Sequence, residues 1–172
     1  DRILKSMKRG MTGDKTRKLI DTIRNRVPGV AIRTTLIVGY PGETPAEYRE
    51  LRDFITAGRF ERVGVFTYSE EEGTAASRLR DSVPVRVKQE RARELMELQE
   101  RISLEINKSK IGTIMKVIVD GKEGDHLNGR TEFDSPEIDN EVLIRNAYNK
   151  IKPGRFYHLR ISGAGPYDLY VE

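Results

Sequence analysis

The segment spanning residues 34–48, TTLIVGYPGETPAEY, constrains the fold of this chain more than any other. An apolar, β-branched run ends at Gly39, a proline–glycine turn follows, and Thr44 and Glu47 then have the spacing of a helix capping box. Pro45 suits the first position of that helix. The sequence therefore predicts a strand–loop–helix junction, which is where α/β enzymes commonly bind ligands.

The first two thirds of the chain have the pattern of an α/β fold. Helices are predicted over residues 12–27 and 45–57, and strands over residues 30–39 and 62–68. A strand, a helix and a second strand joined by short connections make one parallel βαβ unit. Residues 69–82 are rich in Glu, Gly, Thr, Ala and Ser and are predicted to form a loop.

A long helix is predicted from Pro84 to about Lys108. It has a narrow apolar stripe, and most of its other positions are charged. We interpret those charges as a solvated face. The stripe consists of Leu95, Leu98, Ile102 and Ile106.

The pattern changes to β structure after Gly112. Short strands are predicted over residues 113–119, 141–144, 157–162 and 168–171, with Asn128-Gly129 as a turn. Evenly spaced short strands with turn signals indicate a small antiparallel barrel. We therefore predict two domains, an α/β part over residues 1–108 and an all-β part over residues 109–172.

The charge of the chain is divided unequally between these parts. Residues 1–108 carry a net charge of +5 and residues 109–172 a net charge of −1. The overall pI of about 9.3 favours a nucleic-acid partner. The excess positive charge lies outside the β part, however, which argues against nucleic-acid recognition by the barrel.

Several types of site and segment are missing from the sequence. The chain has no cysteine and only two histidines, His126 and His158, which are far apart. It can make no disulfide and hold no cysteine-bound cluster, and we predict no metal bound by this chain. No apolar run approaches the roughly 20 residues of a membrane span, and no secretion signal is present. We expect a cytoplasmic protein and, from the abrupt start of the sequence, a fragment.

Four blocks of the sequence, in this order, resemble the radical S-adenosylmethionine methylthiotransferases. Their fold would be the C-terminal part of an open, partial TIM-like α/β barrel followed by a five-stranded antiparallel OB-like barrel called a TRAM domain. The resemblance covers essentially the whole chain. The blocks are DRILKSM (1–7), the strand and loop 34–43, FTYSEEEGTAA (66–76) and ERISLEINKSKIG (100–112).

The β part further resembles the RimO-type branch, whose members modify an aspartate of ribosomal protein number twelve of the small subunit. The resemblance lies in NGRTEFDSPEIDNEVLI (128–144) and in Tyr167-Asp168-Leu169. Five carboxylates in ten residues would repel phosphate and attract a basic loop of that protein, so we predict substrate docking there. We expect no contact with nucleic acid except through the ribosome. The predicted docking residues are Glu132, Asp134, Glu137, Asp139 and Glu141.

The resemblance also implies the chemistry of the complete enzyme. Two 4Fe-4S clusters are implied, one of which cleaves S-adenosylmethionine to a radical that takes a β-hydrogen from the target aspartate. Both clusters would be bound by cysteines, and this chain has none. The chain is therefore expected to be inactive alone, with no catalytic residue of its own and only part of the wall that binds S-adenosylmethionine.

Candidate cofactor-binding residues lie on the strand of the first block. Strand alternation puts Arg33, Thr35 and Ile37 on one face. If that face looks into a barrel, Ile37 would pack on adenine, Thr35 would bond a ribose or amino-acid group, and Arg33 would meet the methionyl carboxylate. If it packs on helices, none of these roles is available. Gly39 allows a close backbone approach or a positive φ.

The end of the next strand supplies two more candidates, Tyr68 and Ser69. By resemblance, their backbone would bond the edge of adenine. A rim aromatic without a ligand role is the alternative for Tyr68. The family pattern on the first strand is G-x-I-x-G-x-x-E; here Thr35 replaces the first glycine, and Glu43 lies one place late.

Two other functions stay open from the sequence. One is the sister group of enzymes, which modify an adenosine in tRNA. The other is a non-catalytic RNA-binding TRAM module in which the α/β part is only a support. The first predicts a basic or aromatic-lined face on residues 112–172. The second predicts tight, salt-sensitive RNA binding by residues 109–172 alone.

Overall fold

The computed structural model describes residues 1–80, 82–136, 138–145 and 151–172. The chain divides into two compact units, Asp1–Gln99 and Glu100–Glu172. The boundary lies within the long helix rather than at its end, so this helix contributes residues to both units.

The first unit alternates helices with two strands. Its elements are α1 (Arg2–Ser6), α2 (Gly13–Arg26), β1 (Arg33–Val38), α3 (Pro45–Gly58), β2 (Arg62–Thr67), a single 3-10 turn (Ala76–Arg78) and the first part of α4 (Val85–Lys108). Strands β1 and β2 are parallel and run from the pair Arg33/Arg62 to the pair Val38/Thr67. The predicted βαβ unit is therefore present.

Local capping explains where these helices begin. The hydroxyl oxygen of Thr12 accepts a hydrogen bond from the backbone of Lys15 at the start of α2. At the start of α3, Thr44 and Glu47 form a complete capping box, with Pro45 in the first turn. Each side chain satisfies a backbone N–H that has no partner within the helix.

Strand β1 has one buried and one exposed face. Leu36 and Val38 are buried, whereas Arg33, Thr35 and Ile37 are exposed. The alternation follows from the two-residue period of a strand. The three candidate cofactor-binding residues Arg33, Thr35 and Ile37 thus share the face of β1 that is not packed into the core of this unit.

The second unit is built around a six-stranded sheet. Its strands are β3 (Ile114–Glu123), β4 (His126–Thr131), β5 (Val142–Ile144), β6 (Phe156–Arg160), β7 (Gly163–Ala164) and β8 (Leu169–Val171). The spatial order is β6-β3-β4-β5-β8-β7. The inward side chains form one apolar core, which includes Val117, Val119, Leu127, Ile144 and Ile161.

Two features of this sheet differ from the prediction. The described part has six strands, and β5 pairs with β8 in parallel rather than antiparallel. The connection from β5 to β8 exceeds the dozen or so residues that a parallel pairing needs, so the chain can return in the same direction. The predicted fold class, α/β followed by a small β-barrel domain, is confirmed with these corrections.

The interpretation of Asn128-Gly129 as a turn was wrong. Both residues lie inside β4, where they pair with β3 and β5. A Cβ on Gly129 would collide with the backbone oxygen of Ile118, so this glycine permits close strand approach. The reversal between β3 and β4 occurs instead at Gly124, whose φ is 58°.

Candidate functional site

A hollow in the first unit lies at the carboxyl ends of the two parallel strands. Its volume is about 440 Å³, within the range of roughly 300–1,000 Å³ typical of small-molecule sites. The end of α1, the end of β1, the end of β2 and the loop after β2 all contribute to it. The lining residues are Ser6, Met7, Lys8, Ile37, Tyr40, Phe66, Thr67, Tyr68, Ser69, Glu71, Thr74, Ala75 and Ala76.

Aromatic and apolar side chains dominate the sheet side of this hollow. Ile37 and Phe66 are register partners on β1 and β2, and both are exposed, Phe66 to 61%. The rings of Tyr40 and Tyr68 meet edge to face with centroids 5.4 Å apart. The hydroxyl of Tyr40 also lies 3.1 Å from that of Ser6. Such a surface suits a flat aromatic ligand.

A glycine on β2 keeps the exposed face of the sheet shallow. The nearest atoms to a Cβ on Gly64 would be a ring carbon of Phe66 at 3.6 Å and the hydroxyl oxygen of Thr35 at 3.8 Å. Because a Cβ would already be in ordinary contact with both, a side chain larger than that of alanine at this position would displace the Phe66 ring or the Thr35 hydroxyl.

The predicted cofactor residues divide into two groups. Ile37, Tyr68 and Ser69 line the hollow. Arg33 and Thr35 lie on the same face of β1 but nearer its start, outside the lining. At about 3.3 Å per residue, Arg33 is roughly 13 Å along the strand from Ile37. The cofactor roles of all these residues remain predictions.

Gly39 is the first residue of the loop that follows β1. It is buried and has a φ of 75°, which only glycine adopts readily. Its N–H donates to Oε2 of Glu43 at 3.1 Å. Gly39 therefore helps to fix the conformation of this loop but does not line the hollow.

The backbone of Tyr68 already has partners within the protein. Its N–H donates to the carbonyl of Val38 at 2.8 Å, and its carbonyl accepts from Nζ of Lys88 at 3.3 Å. The first bond continues the parallel ladder one residue beyond β2. A ligand would thus meet the side chain of Tyr68 and the second lone pair of its carbonyl.

The interpretation of the α4 charges as a solvated face was wrong for two cations. Lys88 is 5% exposed and Arg91 is 8% exposed. Arg91 donates to Oε1 of Glu43 at 2.5 Å. The sequence contained a signal for both, because the apolar stripe through Leu95 extends back by helical spacing to positions 91 and 88.

A second buried contact joins α3 to α4. The hydroxyl of Tyr48 donates to the carboxylate of Glu94 at 2.6 Å, and the guanidinium of Arg91 lies over its ring at 5.1 Å. Burial, and then the bond to Glu94, raise the pKa of Tyr48 well above its ordinary value. Tyr48 is therefore a neutral hydrogen-bond donor at all physiological pH values.

The acidic segment of the second unit presents only some of its carboxylates to solvent. Glu132 is exposed, whereas Asp134 and Asp139 are half-buried. Asp134 accepts from the hydroxyl of Thr131 at 2.5 Å, and Asp139 accepts from the backbone N–H of Ser135 at 2.8 Å.

The other two docking candidates differ from these. Glu141 is half-buried just before β5, and its backbone N–H donates to Asp168. The candidate Glu137 lies outside the described residues. Close to the carboxylates, the side chain of Ile138 is 73% exposed.

The outer face of β3 and β6 has the basic and aromatic character that the alternative of a tRNA-modifying enzyme predicts for this domain. Lys116 pairs in register with His158, and its Nζ lies 4.6 Å from the centroid of the Phe156 ring. Phe156 is 61% exposed, and Arg160 extends the same row. This face therefore combines cations with an accessible ring.

The described ranges contain neither a metal-holding cluster nor a membrane-spanning helix. Among residues 1–80, 82–136, 138–145 and 151–172, no group of three or more His, Asp or Glu side chains is arranged to hold a metal ion. Within the same ranges, no helix combines the length and apolarity that crossing a bilayer requires.

Comparison with known proteins identifies the class of the second unit and then the relatives of the whole chain. Residues 111–172 match the family model of the TRAM domain. The complete chain aligns with the ribosomal protein uS12 methylthiotransferase RimO of Christiangramia forsetii at 54% identity, covering 38% of that protein. The corresponding enzymes of Flavobacterium psychrophilum and Bacteroides thetaiotaomicron are 52% and 50% identical, each covered to 40%.

These similarities show that the chain belongs to the family of ribosomal protein uS12 methylthiotransferases, and the predicted resemblance is confirmed. The chain spans about two fifths of the length of the curated relatives that it matches. The lining of the hollow and the TRAM domain both lie within the aligned region.

Proposed function

We propose that this chain supplies one wall of an S-adenosylmethionine site and a substrate-docking barrel to a radical S-adenosylmethionine enzyme that methylthiolates ribosomal protein uS12. One observation carries the proposal. An aromatic-lined hollow lies at the carboxyl ends of two parallel strands in a chain that is homologous along its full length to enzymes named for this activity.

The residues of the hollow fit the nucleoside part of S-adenosylmethionine. Ile37 and Phe66 offer a flat apolar surface for adenine, and the rings of Tyr40 and Tyr68 close one side of it. Ser69 adds a hydroxyl for a polar group. When bound, S-adenosylmethionine would supply the radical chemistry, and the contribution of these residues is to bind the nucleoside, orient it and exclude water.

The residues of this chain do not fit an iron–sulfur cluster. Cluster iron is held by cysteine thiolates in nearly all cases, and the chain has none. We propose that both clusters belong to the part of the relatives that this chain does not cover. A CxxxCxxC triplet in the coding sequence upstream of Asp1 would support the radical class, and an upstream region without one would contradict it.

Ligand binding can be tested on the chain as it exists. S-adenosylhomocysteine is titrated into the ¹⁵N-labelled chain, and we expect amide shifts for Ile37, Phe66, Tyr68 and Ser69 with saturation at millimolar ligand. Ile37→Glu should abolish them, because the charge would lie against the adenine. Leu19→Glu, at an exposed apolar position on α2, is the matched control, since Leu19 is 48% exposed and Ile37 37%. Shifts that are absent or confined to other residues would overturn this part of the proposal.

For the barrel, we propose docking of a basic loop of uS12 on the acidic segment. Glu132 supplies an exposed carboxylate, and the exposed Ile138 of the same segment can bury apolar area on binding. A cytoplasmic location follows as part of this proposal, because the substrate is a ribosomal protein. The expected result is retention of purified uS12 by the immobilised chain, weakened by Glu132→Lys with Ile138→Ser and unchanged by Glu105→Lys.

RNA binding is the second candidate for the barrel, and the outer face of β3 and β6 favours it. Lys116, Arg160 and the exposed ring of Phe156 have the composition of a single-strand stacking surface. This candidate predicts salt-sensitive retention of tRNA that is lost in Phe156→Ala. Retention of tRNA without uS12 would defeat the docking proposal, and retention of uS12 alone would defeat the RNA candidate.

A further inference from the structure

We propose that Lys88 and Arg91 of α4 are positioning residues that hold the ends of β1 and β2 in the shape that makes the hollow. The ligand-related half of this inference rests on the proposed function. Neither side chain lines the hollow, so both act through the loops that do.

Arg91 acts on the loop after β1 through Glu43. Its Nη1 donates to Oε1 of Glu43 at 2.5 Å, while Oε2 of Glu43 accepts the N–H of Gly39 at 3.1 Å. The N–H of Glu43 in turn donates to the carbonyl of Tyr40 at 2.8 Å. The carboxylate of Glu43 therefore holds residues 39–43 in a tight loop. The guanidinium of Arg91 balances the charge of that carboxylate and orients it.

Lys88 acts on both strand ends at once. Its aliphatic stem packs so closely on Gly39 that a Cβ there would collide with it. Its Nζ donates to the carbonyl of Tyr68 at 3.3 Å and lies 5.0 Å from the centroid of the Tyr68 ring. Lys88 thus contacts both strand ends and holds Gly39 and Tyr68 in place.

These contacts converge on two lining residues. Tyr40 follows Gly39 directly, Tyr68 follows β2, and their rings pack against each other at one side of the hollow. An error of about 1 Å in a positioning contact can cost roughly a hundredfold in function. The first turns of α4 should therefore control ligand affinity without touching the ligand.

The test uses the full chain and two readouts. Arg91→Met and Lys88→Met are compared with Arg93→Met, whose side chain is 70% exposed on the same helix. In the ligand-free proteins we expect the Gly39 amide proton to move upfield and exchange faster in Arg91→Met, and the Tyr40 and Tyr68 signals to move in Lys88→Met. Arg93→Met should leave all three signals unchanged, and Arg91→Lys should restore the Gly39 signal in part.

The second readout is the affinity for S-adenosylhomocysteine in variants that retain the dispersed amide spectrum of a folded chain. The dissociation constant should rise roughly tenfold or more in both variants and stay unchanged in Arg93→Met. Unmoved Gly39, Tyr40 and Tyr68 signals would overturn the positioning inference whether or not the ligand binds. If the wild-type chain binds no ligand but the two variants show the expected amide changes, only the proposed function is contradicted.

Discussion

Oε1 of Glu43 lies 2.5 Å from Nη1 of Arg91, although 48 positions separate the two residues in the chain. The side chains are 4% and 9% exposed, respectively. A buried ion pair adds little net stability compared with apolar residues of the same shape, because both charges lose their hydration. Removing only one of the two charged side chains is costly, however, because the remaining charge stays buried without a counter-ion.

Arg91→Met is therefore expected to lower the free energy of unfolding of the first unit by about 3–5 kcal/mol. Urea denaturation followed on amide signals of residues 1–99 measures this. The double variant Glu43→Gln with Arg91→Met should lose less than Arg91→Met alone, because no unpaired carboxylate remains. Equal losses in the single and double variants would contradict the buried-charge explanation, and Arg93→Met should be nearly neutral.

Gly39→Ala is expected to destabilise the first unit for two separate reasons. A φ of 75° costs an L-residue about 1–2 kcal/mol, and the collision with Lys88 adds about 1–3 kcal/mol. Gly73→Ala is the matched control, since Gly73 has a φ of 77° with no atom within 4 Å of its Cβ position. Similar denaturation midpoints for the two variants would show that the Lys88 contact costs nothing.

Gly129→Ala should destabilise the second unit by about 1–3 kcal/mol, because the new methyl group would meet the backbone oxygen of Ile118 and force β3 and β4 apart. Gly121→Ala is a suitable comparison, since its nearest neighbour is the side-chain oxygen of Asn128 at 3.3 Å. Hydrogen exchange of the β3 and β4 amides measures both. Unchanged protection in Gly129→Ala would be inconsistent with this packing.

Acid should weaken the start of α3 through Glu47. The pKa of Glu47 is lowered from its ordinary 4.5 to about 2, chiefly by the hydrogen bond from Arg2 and also by hydrogen bonds from Thr44, while burial acts in the opposite direction. Because the folded-state pKa is depressed, this carboxylate stabilises the fold fully above pH 4.5, and the contribution is lost as the pH falls toward 2.

The stability difference between the wild type and Glu47→Gln should accordingly shrink over that pH window. Denaturant midpoints measured at a series of pH values give this difference directly. Glu50→Gln, with a side chain that is 53% exposed, should differ little from the wild type at any pH. A gap between wild type and Glu47→Gln that stays undiminished as the pH falls from above 4.5 to about 2.5 would be inconsistent with the titration of Glu47 over this range.

Most of the first unit followed from local signals in the sequence. The predicted helix 45–57 is observed as Pro45–Gly58, and the capping box at Thr44 and Glu47 is complete. The predicted strand 62–68 is observed as Arg62–Thr67. Caps, turns and strand alternation depend on residues within a few positions of each other, so a sequence contains them in full.

The β domain was less predictable because strand pairing is not local. Strand β4 was missed because His126–Thr131 contains an asparagine–glycine pair, which is typical of a turn. Its place between β3 and β5 depends on Gly129 admitting the backbone of β3, a contact that no local pattern reveals. The parallel pairing of β5 with β8 likewise depends on the path of the intervening chain.

The sequence by itself determined the βαβ unit of the first part, the common face of Arg33, Thr35 and Ile37, and the absence of thiol ligands. Only the tertiary structure decided that Ile37 reaches the hollow while Arg33 does not, and that Lys88 and Arg91 are buried behind it. The physical reason is that the burial of a charge depends on a partner brought close by the fold. Here Glu43 and Tyr68 meet α4 from distant parts of the chain.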